Sequence, residues 1–133
     1  TEIYTLSLHD ALPISGVSYT ASDGSYVYSQ YWPSGTVATD IVAYVYDDPY
    51  IVYRVQSAGT PAQTNVGNCA DVVAGTGSTT TGQSGFTLNG TMSTGTATCK
   101  IIGLWEDPSN SFAQYAQLEV LVNEHILKDS AGI

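Results

Sequence analysis

Chemistry in this chain would have to come from very few groups. There are two histidines, His9 and His125, and two cysteines, Cys69 and Cys99. A hydrolytic triad sets an imidazole between a serine or cysteine nucleophile and an orienting carboxylate. His125 has Glu124 beside it, but no spacing selects one nucleophile among the many serines, and no Gly-x-Ser-x-Gly elbow occurs. His125 therefore reads as a structural hydrogen-bonding residue. Asp47 and Asp48 are adjacent, and neighbouring side chains of an extended chain point to opposite faces. They do not converge as paired acid–base carboxylates must, and read as turn residues. No Cys/His set has zinc spacing, no loop gathers the oxygens of a calcium site, and the glycine-rich stretch lacks a phosphate cradle's lysine. The reading is of a protein that is not an enzyme, with no catalytic residue, metal or cofactor.

The cysteines leave two readings. A Cys69–Cys99 bridge would close a loop of about 30 residues and contribute about 3–4 kcal/mol. Two buried, reduced thiols are the favoured alternative, because cysteine prefers interiors. The aromatic residues also have two readings. Tyr19, Tyr26, Tyr28, Tyr31, Trp32, Tyr44, Tyr46, Tyr50 and Tyr53 fall close together in the sequence. Tyrosine buries a large area while keeping a polar tip, which suits a core near the surface and a protein interface. An exposed row of rings would instead stack on sugars. Core plus subunit interface is preferred, because alternation turns many rings inward; Trp32, Tyr44, Tyr46, Tyr50 and Tyr53 are the candidate interface residues.

The elements that must position these groups are strands. Period-two alternation with β-branched and aromatic residues dominates the chain. Val17, Tyr19 and Ala21 share a face of a first strand, Ser22-Asp23-Gly24-Ser25 turns it, and 26–32 returns. Pro33-Ser34-Gly35 breaks that strand. The spacing predicts 39–46 and 50–56 as the strongest hairpin, joined by Asp47-Asp48-Pro49. Their runs IVAYVY and YIVYRV are apolar on both faces, which implies a central place in a covered sheet or a face used for subunit contact. The pattern is lost over 57–85. Within it, 68–73 is expected to make one helical turn capped by Asn68. The stretch 75–85, without an apolar residue, reads as a mobile loop. A short strand over 86–88, a strand over 96–104, a turn at Asp107-Pro108-Ser109-Asn110 and a last strand over 116–124 complete the chain. Leu118, Val120 and Val122 face one way there, Glu119 and Asn123 the other. About seven strands imply one all-β domain: an antiparallel β-sandwich, jelly roll or barrel.

Composition narrows the partners. Net charge is −9, and only 11% of residues are charged, against about 25% for ordinary soluble domains. Acidity with three scattered basic residues argues against nucleic acid, and no apolar run reaches the roughly 20 residues of a membrane helix. The first fifteen residues, TEIYTLSLHDALPIS, back-translate into a widely used short-read sequencing adapter. Residues 1–15 are therefore set aside as an artefact, with His9 and Asp10 in them, and 16–133 is taken as the single domain. Without Glu2 and Asp10, ten acidic and three basic residues leave a net of −7. The native N-terminus is then expected to be missing.

The phrases SYTASDGSYVYSQYWPSGT, VAYVYDDPYIVYRVQSAGT, NVGNCADVVAGTGSTTTGQSG and LEVLVNEHIL resemble virion structural proteins of marine tailed phages. The resemblance spans nearly all of 17–133. It implies a particle component of the capsid cement or decoration type, located on the capsid surface. Its partners would be capsid subunits and further copies of itself, with contact through the IVAYVY and YIVYRV strands and Trp32. A carbohydrate-binding or receptor-binding β-module is the alternative expectation.

Overall fold

A computed structural model describes residues 3–5, 11–78, 80–81 and 83–125. The protein is all-β, with ten strands in three antiparallel sheets among the described residues. The first sheet holds β1 (Ile3–Thr5), β2 (Ala11–Ala21), β3 (Tyr26–Ser29) and β4 (Ala38–Val45). Its spine is β2, with which β1, β3 and β4 all pair. The second sheet runs in the order β5 (Val52–Gln56), β10 (Gln117–Val122), β9 (Cys99–Leu104), β6 (Cys69–Ala70). The third pairs β7 (Val72–Val73) with β8 (Thr87–Leu88). No sheet closes on itself among the described residues.

The turns form where turn chemistry asks for them. Gly24 takes φ +85°, and the Asp23 carboxylate accepts from both the amide and the hydroxyl of Ser25 (2.9 and 2.6 Å). Those two bonds, the hydroxyl's first, hold the Asp23 pKa below the usual carboxylate value. The Thr36 hydroxyl and amide both donate to Pro33 O beyond the break in β3. Strand β3 stops before that break, at Ser29, whose hydroxyl accepts from the Tyr31 amide at 3.2 Å, and so does not reach Trp32.

The core lies in the second and third sheets. Val55, Ala70, Leu88, Cys99, Ile101, Leu118, Val120 and Val122 form one buried cluster, with Tyr53, Val72, Met92, Leu104 and Phe112 packed against it. Strand β10 shows the alternation most clearly, since Leu118, Val120 and Val122 are sealed and the residues between them are only half-buried. Each such aliphatic side chain stabilises the fold by about 1.5–3 kcal/mol when fully buried. No residue of β2, β3 or β4 belongs to this cluster.

Several sequence expectations are corrected. Residues 39–46 and 50–56 do not form a hairpin: β4 pairs with β2, and β5 pairs with β10. Strand β5 alternates and sends Val55 into the core opposite Leu118, whereas β4 is apolar on both faces and carries no alternation to bind it to the same core. The intervening Asp48 accepts from the Tyr50 amide (2.9 Å), an Asx turn that passes the chain from one sheet to the other. Nor is β4 central, because among the described residues only one of its edges is paired. Residues 68–73 make no helical turn. Pairing of Cys69 and Ala70 with β9 buries Ala70 in the core, and a 3-10 turn lies just before it at Gln63–Asn65. Strand β2 also starts at Ala11, so backbone pairing continues into the stretch that resembles adapter sequence.

Candidate functional site

The first sheet carries the most exposed apolar surface of the described chain. Register places Ser18 opposite Tyr28 on one side and Val42 on the other, with Thr20 opposite Tyr26 and Gly16 opposite Tyr44. Residues 16, 18 and 20 of β2 therefore form a floor of small side chains between taller neighbours. The Tyr28 ring lies across Gly16 so closely that a Cβ there would collide with its Oη. The rings of Tyr28 and Tyr44 sit 5.9 Å apart and tilted by 52°. Ser18, buried beneath them, shares a hydrogen bond with the Tyr44 hydroxyl at 3.2 Å. That bond, and a second with the Tyr26 side chain, lower the Tyr44 pKa from the usual phenol value. The result is a surface of rings bonded to one another and open to solvent.

Strand β4 is the other half of this surface. Ile41, Val42, Tyr44, Val45 and the following Tyr46 are between 42 and 54% exposed, on both faces. Asp40 takes φ +52° where the β2–β4 register shifts between Ser18 and Thr20, which makes it an extra residue in β4. Such a bulge bends the start of an exposed edge.

The candidate interface residues divide. Tyr44, Tyr46 and Tyr50 are exposed, Tyr50 by 75%. Trp32 packs edge-on against buried Tyr19, with centroids 5.2 Å apart and planes at 69°. Tyr53 packs on the core; its hydroxyl is buried without a hydrogen-bond partner among the described residues, and burial raises its pKa. The structure thus gathers Tyr44 with Tyr26 and Tyr28, two residues that the sequence reading left out of the interface. Cross-strand register is what joins them, and it is not visible in spacing along the chain. The expectation that alternation turns many rings inward holds for Tyr19 but not for Tyr26, Tyr28, Tyr44, Tyr46 or Tyr50.

No protein-family model matches the chain, and neither a curated protein nor a solved structure matches it significantly. The candidate surfaces are therefore read from geometry alone.

A second surface is a groove of about 620 Å³ along β5. All five residues Val52 to Gln56 line it, facing Gln83, Ser84 and Phe86, with Gln117 at the side. Five consecutive strand residues line a groove together only along the strand's open edge. Arg54 holds its guanidinium 5.0 Å over the Trp105 ring, which covers one face of the indole.

The remaining chemical candidates fall elsewhere. His125 is 1% exposed and lines neither surface. Thr98 lies between two carboxylates, with its hydroxyl 3.3 Å from Asp71 and 3.1 Å from Glu124. Among the described residues no group of three histidine, cysteine or acidic side chains could hold a metal. Cys69 and Cys99 are both free thiols. Cys69 is opposite Lys100 and Ala70 opposite Cys99, so the pleat sends the two sulfurs to opposite faces of the sheet. Burial, the main cause, pushes the Cys99 thiol up to about 12. The Cys69 sulfur accepts from the Asn123 amide at 3.3 Å.

Proposed function

We propose that this protein is a virion structural protein of a tailed phage, of the capsid decoration type, acting through protein–protein contacts made by its first sheet. One observation carries the reading: a tyrosine-rich sheet with an apolar strand exposed on both faces, whose only buried apolar side chains are Val17 and Tyr19 among the described residues, gives none to the main buried cluster. Contiguous exposed apolar surface of this kind marks interaction sites in soluble proteins. The phrase-level resemblance to marine phage virion proteins supplies the particle context. In this reading the second and third sheets form the two layers of a small sandwich, which holds the first sheet out as a contact layer.

Co-sedimentation with phage heads stripped of their decoration proteins tests the proposal. Binding that Tyr28→Ser together with Tyr44→Ser weakens at least tenfold is the expected result. A protein that stays in the supernatant at micromolar concentration counts against it.

The groove along β5 favours a second reading, a carbohydrate-binding module. Its amide side chains Gln56, Gln83 and Gln117 and its ring-bearing Tyr53 and Phe86 suit polar ligands with apolar faces. The indole face of Trp105, the natural stacking platform, is however taken by Arg54. A glycan array separates the readings, since only the second predicts saturable sugar binding lost in Gln56→Ala.

A further inference from the structure

We propose that two copies of this chain pair through the open edges of β4, antiparallel about a two-fold axis at Ala43, so that their first sheets run on as one. The inference rests on the reading of the first sheet as a contact surface and names its occupant.

Three features of β4 select a second copy. First, its outer edge pairs with no strand among the described residues and so presents a row of backbone donors and acceptors, which is what strand addition uses. Second, both faces are apolar, so the best neighbour is a strand that is apolar on both faces as well. Another β4 meets that condition. Two-fold pairing at Ala43 sets Ile41 opposite Val45 and Val42 opposite Tyr44 of the second copy. One face then gains aliphatic pairs and the other an aromatic–β-branched pair, contacts that stabilise sheets. Ala43, the smallest of these side chains, stands at the axis where the two copies approach most closely.

Third, charge permits this register. The acidic residues around β4 are Asp40, Asp47 and Asp48. With Ala43 on the axis, Asp40 meets Tyr46, Asp47 meets Thr39 and Asp48 meets Ala38. No carboxylate faces another. Shifting the sum of paired positions by one would set Asp40 against Asp47, and like charges directly opposite are destabilising. The pairing covers the half-exposed side chains of 41–46 along the backbone edge. Such pairing keeps the same face of both sheets on one side, so Tyr26, Tyr28 and Tyr44 of the two copies form one doubled surface.

Sedimentation velocity on the full chain between about 1 and 100 µM tests the pairing. A species of twice 14.0 kDa is expected. Ala43→Lys places two ammonium groups face to face at the axis and should weaken the dimer at least tenfold. Ala43→Cys in a Cys69→Ser background should give a symmetric cross-linked dimer on mild oxidation, because facing residues of antiparallel strands stand about 4.5–5.5 Å apart at Cα, within disulfide reach. This second variant keeps the test valid should Ala43→Lys not fold. A monomer at every concentration, a dimer indifferent to Ala43→Lys, or an uncross-linked Ala43→Cys chain overturns the inference. A cross-linked dimer that ignores phage heads overturns the proposed function and leaves the pairing standing; a monomer that binds heads does the reverse.

Discussion

The phenol oxygen of Tyr44 stands 3.2 Å from the hydroxyl of Ser18, joining β4 to the strand beside it across the tyrosine face. Ser18 is the first cause of the lowered Tyr44 pKa, ahead of Tyr26. Tyr44→Phe is expected to lower the midpoint of urea unfolding, because it removes the hydrogen bond that joins the two strands. In an ultraviolet titration, Ser18→Ala should move the earliest-ionising tyrosine toward higher pH. An unchanged profile would mean that the two groups do not interact in solution.

The two halves of the molecule should answer truncation differently. Leu118 is fully buried, so Leu118→Ala is expected to cost about 2–5 kcal/mol. Ile41→Ala, on a half-exposed strand, should cost under about 1 kcal/mol at concentrations where the chain is monomeric. Denaturant midpoints of the two variants check the contrast.

Cys99 should be inert in the native protein. One thiol, that of Cys69, is expected to react with an aromatic disulfide reagent at pH 8, and two after denaturation. The folded Cys99 thiol titrates near 12 against an ordinary value of 9.0. Between those pH values the native state keeps a proton that the unfolded chain releases, so stability is full below pH 9 and falls as pH rises toward 12. The loss is on the order of 4 kcal/mol. Comparing thermal melts of the native protein and Cys99→Ala across this window isolates the contribution, because the tyrosines titrate in both.

Asn110 locks the turn between β9 and β10 with one side chain. Its amide nitrogen donates to Trp105 O and Gln117 O, both at 2.8 Å, and its oxygen accepts from the Gln117 amide at 3.0 Å. Asn110→Ala should cost about 2–3 kcal/mol and speed amide hydrogen exchange at Gln117. Asp107, held below its ordinary pKa chiefly by the Ser109 hydroxyl, marks the same turn.

Removing residues 1–15 should leave the main core intact, since every residue of the buried cluster lies at Val55 or beyond. Melting by near-ultraviolet signals from Trp105 should shift by only a few degrees. A collapse of the transition would show that the 11–15 segment of β2 is required by the fold.

Much of the strand content was legible in the sequence because alternation reports burial directly. Strand β10 is the clearest instance, with its buried positions at every second residue as expected. The turns at Asp23-Gly24 and Asp107-Pro108 were legible for a different reason: an Asx carboxylate two residues before a serine bonds locally, whatever the rest of the chain does. Partner choice was not legible. Two apolar runs separated by a proline turn look like a hairpin, yet β4 and β5 join different sheets, and the deciding contacts come from β2 and β10 far away in sequence. The same limit hid the tyrosine face. Tyr28 and Tyr44 meet over Gly16, which spacing along the chain does not express.

The glycine-rich loop ends in a pinch. A Cβ on Gly75 would collide with the Gly85 carbonyl oxygen, so the two backbones already touch at the neck, and the Ser78 amide donates to Gln83 O above it. Once a loop's ends are held together, added length carries only a slowly growing entropy cost. Foreign peptide grafted between Thr80 and Thr81 would inherit that closed base. The molecule would then serve as a scaffold for display, carrying its cargo on a stalk that the core beneath does not sense.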